Sequence, residues 1–233
     1  MGLPKIDLPL FELEIPSTKK KVKYRPFTVK EEKILLIAKE SKDVDQMVLG
    51  IKQIVNNCVQ KVDVEKLAMF DLEYILINIR AKSVDNELAF TIKDPDTEER
   101  IELSVDINDI KLSTPEKHTN RIRLSDTTSL LLRYPTINEL NILMGAKSNK
   151  ETLFEIMIRC IESMIVEEDQ VYKMSDYSED EIIDFIDGLT ANAIQNIHNF
   201  FETMPRLRHE VKYVNNKGAN KTFVVEGMET FFI

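Results

Sequence analysis

The amino-terminal region alternates apolar and polar side chains. Residues 11–15 alternate apolar with acidic side chains, and residues 21–24 alternate lysines with Val22 and Tyr24. Because successive side chains of a strand point to opposite faces, this period of two predicts a pair of half-buried strands. The polar residues 17–20 between them predict the turn of a hairpin.

Two further hairpins are predicted by the same pattern. Residues 88–107 contain two alternating runs that flank the turn-forming sequence Asp94-Pro95-Asp96-Thr97. Residues 211–225 contain two more, separated by Asn215-Asn216-Lys217-Gly218. The sequence therefore predicts one hairpin in the middle of the chain and another near its end.

Apolar residues three and four positions apart fill the segments between the first two hairpins. Thr28 and Glu31 have the spacing of a capping box, in which the side chain of each residue bonds a backbone amide near the other. A helix is expected to begin there. Two more stretches with helical periodicity follow at residues 48–58 and 67–79. The first half of the chain is therefore expected to be helical after its hairpin.

The pattern of the first half starts again near His118. At a constant offset and without a gap, eight residues between positions 17 and 39 are identical to their counterparts between 125 and 147. They are Ser17, Arg25, Thr28, Glu31, Ile34, Leu35, Ala38 and Lys39, which match Ser125, Arg133, Thr136, Glu139, Ile142, Leu143, Ala146 and Lys147. Chance predicts about one or two identities over such a length. The sequence favours a tandem duplication; the alternative is that generic helix starts place Thr and Glu at fixed positions.

The second half is expected to repeat the order of hairpin, helices and hairpin. Its first strands fall within residues 122–132. Capping boxes open its helices at Thr136 and Glu139, at Ser148 and Glu151, and at Ser178 and Glu181. The apolar positions of these helices are Ile156, Met157, Cys160, Ile161, Met164, Ile182, Phe185, Ile186, Leu189, Ile197, Phe200 and Phe201. The last helix is expected to stop before Pro205.

The predicted fold is α+β and mainly helical, with two similar lobes in tandem, each with β-hairpins and about three helices. The first lobe would comprise residues 1–112 and the second residues 113–233. A chain of 233 residues with 43% hydrophobic residues is long enough to bury a core.

Charge and segment composition restrict the classes of function. The formal net charge of −9 argues against a general nucleic-acid binder, because phosphate neutralisation needs a local excess of Lys and Arg. The basic run at residues 19–25 falls on a predicted hairpin, where it favours a solvated edge that discourages aggregation. No apolar run is long enough for a membrane span, and the first residues lack the pattern of a signal peptide. We expect a soluble protein that folds in a reducing cytoplasm.

The residues that carry most enzyme chemistry are few and scattered. Cys58 and Cys160 lie within apolar runs, which is typical of packed, reduced thiols. His118, His198 and His209 lack the spacing of a zinc site. The sequence has no glycine-rich phosphate loop and no Gly-x-Ser-x-Gly motif, and its carboxylates show no converging pair. We therefore expect no catalytic residue, no cofactor and no metal, and favour an interaction protein over an enzyme.

The chain ends in three large apolar residues, Phe231, Phe232 and Ile233. Chain ends usually fray into solvent, where such residues are costly to expose. They are therefore the candidate protein-interaction residues, which either fold back on their own lobe or dock into a neighbouring subunit.

Several segments along the chain form a recognisable series. They are Leu3-Pro4-Lys5, residues 16–27 and 29–35, Phe70-Asp71-Leu72-Glu73-Tyr74, Arg80-Ala81-Lys82-Ser83, Tyr134-Pro135-Thr136, residues 200–205 and residues 226–232. In their order and number, these segments resemble the baseplate hub proteins of T-even-type tailed bacteriophages, and the similarity covers nearly the whole chain.

The resemblance implies a non-enzymatic component or assembly factor of the baseplate central hub, acting through protein–protein contacts. One alternative is a tail assembly chaperone for the tape-measure protein that is absent from the mature virion. An alternative of another class is a tail-tip enzyme such as a wall hydrolase. The implied partners are other baseplate hub and tail proteins, with the tape-measure protein among the candidates. We expect no nucleic acid and no membrane span, and the sequence leaves the oligomeric state open. The implied locations are the host cytoplasm during assembly and the tail baseplate of the virion.

Overall fold

A computed structural model describes residues 7–41, 43–84, 86–139, 142, 150–167 and 169–227. The chain divides into two compact units. The first unit comprises Met1–Ser113 together with Arg206–Ile233, and the second comprises Thr114–Pro205.

The described part contains eleven strands and six α-helices. The strands are β1 (Phe11–Glu14), β2 (Lys21–Tyr24), β3 (Glu87–Lys93), β4 (Arg100–Asp106), β5 (Lys111–Ser113), β6 (Arg121–Arg123), β7 (Thr128–Leu132), β8 (Ile161–Val166), β9 (Gln170–Lys173), β10 (Arg206–Val214) and β11 (Asn220–Glu226). The helices are α1 (Val29–Ser41), α2 (Val44–Cys58), α3 (Met69–Ser83), α4 (Lys150–Arg159), α5 (Glu179–Asp187) and α6 (Ala191–Glu202).

The balance of these elements corrects one part of the predicted fold class. The fold is α+β, but it is 39% helix and 30% strand, with the described strands arranged in four sheets. The prediction of a mainly helical chain is therefore wrong. It failed because short apolar runs in the second half were assigned to helices although they form strands.

The predicted hairpins of the first unit are confirmed. Strands β1 and β2 pair antiparallel, with Phe11 opposite Tyr24, and β3 pairs antiparallel with β4. Helices α1, α2 and α3 lie between these hairpins. Helix α2 begins where the side chain of Asp43 accepts a hydrogen bond from the amide of Asp45. The apolar residues Leu72 and Ile75 of α3 are fully buried and contribute to the core.

The closing hairpin of β10 and β11 belongs to the first unit, although sequence analysis placed it in the second lobe. Strand β10 pairs antiparallel with both β11 and β5. Leu207 and Val225 are fully buried in one cluster with Leu88 and Val105 of the β3–β4 hairpin. The turn of the hairpin has Gly218 at a φ of +77°, a conformation that glycine adopts without steric cost. A pairing between strands so distant in sequence leaves no local pattern, so the sequence did not indicate it.

The second unit is built on the antiparallel sheet β6-β7-β8-β9. The prediction of helix through Ile161 and Met164 is wrong, because residues 161–166 form β8. Helix α4 ends at Arg159, and the β-branched residues that follow it continue as a strand beside β7. Helices α5 and α6 cover one face of this sheet, as the buried cluster that contains Leu130, Ile186 and Phe200 shows.

Two predicted helix starts of the second half fall partly on residues that the structure leaves undescribed. The helix expected after Thr136 and Glu139 would run into residues 140–149, of which only Ile142 is described. The capping box at Ser148 lies outside the described residues as well. Both stay predictions.

Candidate protein-interaction site

The first unit joins its amino-terminal hairpin to α1 through a cluster of Arg25, Thr28 and Glu31. The guanidinium of Arg25 donates to both carboxylate oxygens of Glu31, at 3.1 and 3.3 Å. The amide and the hydroxyl of Thr28 both donate to Glu31 Oε2, at 2.8 and 2.6 Å. Asn57 of α2 donates to Glu31 Oε1 at 3.2 Å. The carboxylate of Glu31 is therefore buried but fully engaged.

The second unit builds the same cluster from Arg133, Thr136 and Glu139. Arg133 donates to the two oxygens of Glu139 at 2.8 and 3.2 Å. The amide and the hydroxyl of Thr136 donate to Glu139 Oε2 at 2.7 and 3.0 Å. These three residues are the counterparts of Arg25, Thr28 and Glu31 at the constant offset found in the sequence. Sequence analysis aligned them but did not predict that they contact one another.

The electrostatics of the two clusters also agree in direction. Burial favours the neutral acid, but the hydrogen bonds from Arg25 and Thr28 outweigh it and lower the pKa of Glu31 to about 2. Burial acts in the same way on Glu139, and bonds from Arg133 and Thr136 hold the pKa of Glu139 below its usual range. Both carboxylates are thus charged at neutral pH. Glu31 binds Arg25, which directly follows β2, and Glu139 binds Arg133, which directly follows β7. Their role is structural, since every oxygen already has partners within the chain.

The two cysteines occupy corresponding places beside these clusters. The carbonyl of Cys58 accepts a hydrogen bond from the amide of Arg25, and that of Cys160 accepts one from the amide of Arg133. Both thiols are free and buried, as the sequence predicted. Burial raises the pKa of Cys58 to about 11 and that of Cys160 to about 12. Protonated thiols in these positions are poor nucleophiles and serve as small core residues.

His118 is part of an aromatic stack in the second unit. Its two ring nitrogens lie 2.9 Å from Thr203 Oγ1 and 2.9 Å from Tyr134 Oη. The ring stacks on Tyr134 and Phe200 with centroids 5.7 and 5.1 Å apart. Burial lowers the pKa of His118, so the neutral ring bridges two hydroxyl groups at pH 7.

The other two histidines make local contacts. His209 Nδ1 lies 3.2 Å from the carbonyl oxygen of Asp109, and His198 lies one helical turn from Glu202, at 3.3 Å. Within the residues that the structure describes, no group of three or more His, Cys, Asp or Glu side chains is placed to hold a metal ion. In the same residues, no helix is both long and apolar enough to cross a membrane.

Two buried carboxylates escaped sequence analysis. Asp71 of α3 accepts bonds from the amide and hydroxyl of Ser17 in the β1–β2 turn, and burial raises the pKa of Asp71. Asp94, which the sequence assigned only to a turn, is fully buried and accepts a bond from Tyr213. Both tie a hairpin to a distant element. A buried acid has no sequence pattern of its own, so neither partner could be inferred.

Helices α1 and α2 expose an apolar surface that the core of the first unit does not use. Residues 34–38 of α1 are apolar without interruption, which is more than the buried stripe of a helix can hide. Leu36 and Ile37 therefore point outward, with 53% and 64% of their surface exposed, and Leu49 of α2 is 58% exposed. We call these three residues the α1–α2 face.

A groove of about 610 Å³ lies between the two helices at this face. Ile37 and Leu49 line it together with the amides of Gln46, Gln53 and Asn56. The helices approach closely at Gly50, where a side-chain Cβ would stand 3.3 Å from the Cβ of Ala38. Apolar side chains beside neutral amides form a surface that can bury a protein segment and bond to its backbone.

The interaction residues expected from the sequence, Phe231, Phe232 and Ile233, lie outside the described residues. The sequence predicted helices here but gave no role to Leu36, Ile37 or Leu49, so the α1–α2 face was missed. The signal was present: five consecutive apolar residues in a helix cannot all face one side.

Comparison with known proteins yields one family. The family model described as T4 bacteriophage base plate protein matches residues 8–233. No curated protein and no solved structure matches the chain. Because the match covers nearly the whole chain, including both units and the duplicated clusters, the chain belongs to the T4 bacteriophage base plate protein family.

Proposed function

We propose that this baseplate protein is a non-enzymatic component or assembly factor of the central hub, and that it acts through contacts with other hub and tail proteins. It would act in the host cytoplasm during tail assembly, and as a component it would remain in the tail baseplate of the virion. The proposal rests on family membership, on the resemblance of the sequence to hub proteins, and on one structural observation.

That observation is the α1–α2 face. Burying a large aliphatic side chain is worth roughly 1.5 to 3 kcal/mol, so leaving Leu36, Ile37 and Leu49 exposed on two packed helices, with Ile37 and Leu49 lining one groove, is costly for an isolated protein. Exposed apolar patches rimmed by polar groups are typical of protein contact sites. The face is thus the best supported place for a hub partner to bind.

The chemistry of two buried glutamates and the two buried thiols supports a binding role over catalysis. Glu31 and Glu139 are saturated by structural hydrogen bonds, and the thiols of Cys58 and Cys160 are held protonated. A wall hydrolase would need two carboxylates that converge on one cleft with free oxygens. The carboxylates of Glu31 and Glu139 lack free oxygens.

Two substitutions on the face test the proposal. In phage that encode Ile37→Asp or Leu49→Asp, affinity capture of the tagged chain from infected cells should lose hub or tail proteins that the wild-type chain retains. Val214→Asp is the matched control, because Val214 lies in the same unit with 61% exposure but on β10. Equal recovery of partners by all four chains would refute this use of the face.

Immunoblots of purified virions decide between the two forms of the proposal. A chain present in mature tails is a hub component, and one present only in assembly intermediates is an assembly factor, such as the chaperone of the tape-measure protein. Release of soluble fragments from host cell wall by the purified chain would instead establish the enzymatic alternative.

A further inference from the structure

The sheet of the second unit has an outer face, opposite the one that α5 and α6 cover. Its strand register places two rows of side chains on this face, each crossing all four strands. The rows are Arg123, Ser129, Ile165 and Val171, and Arg121, Leu131, Ser163 and Lys173. Residues of the opposite face, such as Leu130, belong to the buried core. The outer face therefore presents the partly or fully exposed apolar side chains Leu131, Ile165 and Val171 between cationic ends, while the two serines among them, Ser129 and Ser163, are buried.

The cationic ends are available for a partner to differing degrees. Arg123 is paired with Asp126 at 2.5 Å. Arg121 and Lys173 are exposed, and within the described residues their charges have no ion pair. We call Arg121, Leu131, Ile165, Val171 and Lys173 the outer sheet face.

A groove of about 730 Å³ continues the outer sheet face toward α5. Leu131, Val171 and Lys173 of the sheet line it together with Tyr177 and Ile182. Two arginines and two glutamates also border it: Arg133, Arg159, Glu162 and Glu179. The sheet surface and the start of α5 are thus one continuous surface within the second unit.

Helix α5 carries the opposite charge on its exposed side. Asp180, Ile183, Asp184 and Asp187 recur at the i, i+3, i+4, i+7 spacing of one helix face, and all four are exposed. We call these four residues the acidic stripe. No basic residue occupies the last turn of α5, so Asp184 and Asp187 lie near the negative end of the helix dipole without a cation from that turn. The stripe would gain from an external positive surface.

The exposed apolar side chains of the second unit concentrate in the same region. Val171, Tyr177 and Ile183 are 55%, 42% and 37% exposed and lie within thirteen residues of sequence. Val171 is on the outer sheet face, Tyr177 borders the groove, and Ile183 is in the centre of the acidic stripe. A contact that pairs the charges would also bury these side chains.

We infer that a second copy of this chain binds here, with the acidic stripe of each copy on the outer sheet face of the other. Two surfaces of opposite charge that adjoin on one unit are self-complementary, and a two-fold axis near Tyr177 satisfies both at once. Each copy then places Ile183 against Leu131 and Ile165 of the facing sheet, and its aspartates near Arg121 and Lys173. This inference is independent of the hub assignment.

Sedimentation velocity of the purified full-length chain tests the inference over a range of about 1 to 200 μM. The wild-type chain should show a monomer–dimer equilibrium. Lys173→Glu and Asp184→Lys should each raise the dimer dissociation constant at least about tenfold, because each places like charges together in both contacts. Lys21→Glu, on exposed strand β2 of the first unit, is the matched control and should leave the constant unchanged.

Mixing the two variants gives the decisive result. In a mixed dimer, one contact joins the side chains substituted by Asp184→Lys and Lys173→Glu, which again have opposite charges. The second contact keeps its natural charges, so dimers should reappear. The double variant carrying both substitutions should also dimerise alone. A wild-type chain that stays monomeric throughout, a dimer that is insensitive to both single variants, or no recovery on mixing would each overturn the inference.

Discussion

Tyr213 donates its hydroxyl to Asp94 Oδ2 at 2.9 Å, across 119 positions of sequence. The other oxygen of Asp94 accepts the amides of Asp96 and Thr97, at 3.0 and 2.9 Å, and the hydroxyl of Thr97. The carboxylate thus shapes the β3–β4 turn and fastens it to β10. This bond is one of several contacts that link the closing hairpin to the middle hairpin of the first unit. Lys217 Nζ donates to the carbonyl oxygen of Asp96 at 3.2 Å, Lys221 forms an ion pair with Asp96, and the rings of Phe90 and Phe223 lie 5.4 Å apart.

The Tyr213–Asp94 bond should make the stability of the first unit depend on acid. Burial favours neutral Asp94, but the bonds from Tyr213, Asp96 and Thr97 outweigh it and lower the pKa of Asp94 to about 2. A lowered carboxylate pKa stabilises the folded state above the unfolded pKa, which is near 4, and this contribution is lost as the pH falls toward 2.

Tyr213→Phe should therefore lower the free energy of unfolding at pH 7, and this loss should shrink between pH 4 and pH 2. Urea unfolding at several pH values measures the difference. Tyr172→Phe is the control, because the Tyr172 hydroxyl bonds the exposed side chain of Gln170. If Tyr213→Phe lowers the free energy of unfolding by the same amount from pH 7 to pH 2, the bond does not stabilise the charged form of Asp94.

Neutralising either duplicated carboxylate should destabilise the chain by a similar amount. Glu31→Gln and Glu139→Gln keep the side-chain volume but weaken two charged hydrogen bonds to arginine, each change costing about 1.5 to 3 kcal/mol. Chemical unfolding of each variant measures the loss. Glu32→Gln, one residue from Glu31 but exposed, should change stability by less than about 0.5 kcal/mol. If Glu31→Gln and Glu139→Gln lower the free energy of unfolding no more than Glu32→Gln does, the two clusters do not stabilise the fold.

Sequence patterns predicted the local elements of this fold better than its long-range pairings. The alternation at residues 11–24 and 88–107 correctly predicted hairpins. Two runs that alternate apolar and polar residues, with turn residues between them, indicate a pair of strands and no other regular structure. The capping box at Ser178 is present in full, with Glu181 bonding back to the Ser178 amide. Both results depend on residues within a few positions of one another.

The failures have a common physical origin. Ile161 and Met164 satisfy a helical spacing and also occur in a strand, and only the pairing of β8 with β7 decides between the two. Likewise, nothing near Leu207 indicates that β10 pairs with β5. For the candidate site, the five consecutive apolar residues 34–38 indicate that some must face outward, but which of them stay exposed depends on where α2 and the hairpin pack. The candidate residues Phe231, Phe232 and Ile233 stay a prediction.

Both thiols should resist alkylation in the folded chain. The raised pKa values of Cys58 and Cys160 reduce the thiolate fraction at pH 8 by roughly 100-fold or more relative to an ordinary thiol, and burial blocks access as well. Iodoacetamide labelling followed by intact mass should show almost no addition until denaturant is added, then two additions. Ser175→Cys, at an exposed position, supplies the reactive control. Rapid labelling of either native cysteine without denaturant would contradict the packed arrangement.

The apolar terminus should anchor a contact. Burying Phe231, Phe232 or Ile233 is worth roughly 1.5 to 3 kcal/mol each, and exposing all three invites aggregation. Deleting residues 231–233 distinguishes two forms of this prediction. If the terminus folds on its own chain, the deletion lowers the melting temperature; if it docks into a hub partner, the melting temperature is unchanged and partner capture from infected cells is lost.

Replacing the three residues with Ser-Ser-Ser controls for chain length in this experiment. Serine keeps the chain length and removes the apolar surface. The serine variant should therefore lose melting temperature or partner capture, whichever of the two the deletion also loses. A deletion that changes neither the melting temperature nor partner capture would show that the terminus makes no stabilising contact. The α1–α2 face would then be the better candidate for partner binding, because its exposed apolar residues belong to the ordered helices of the first unit.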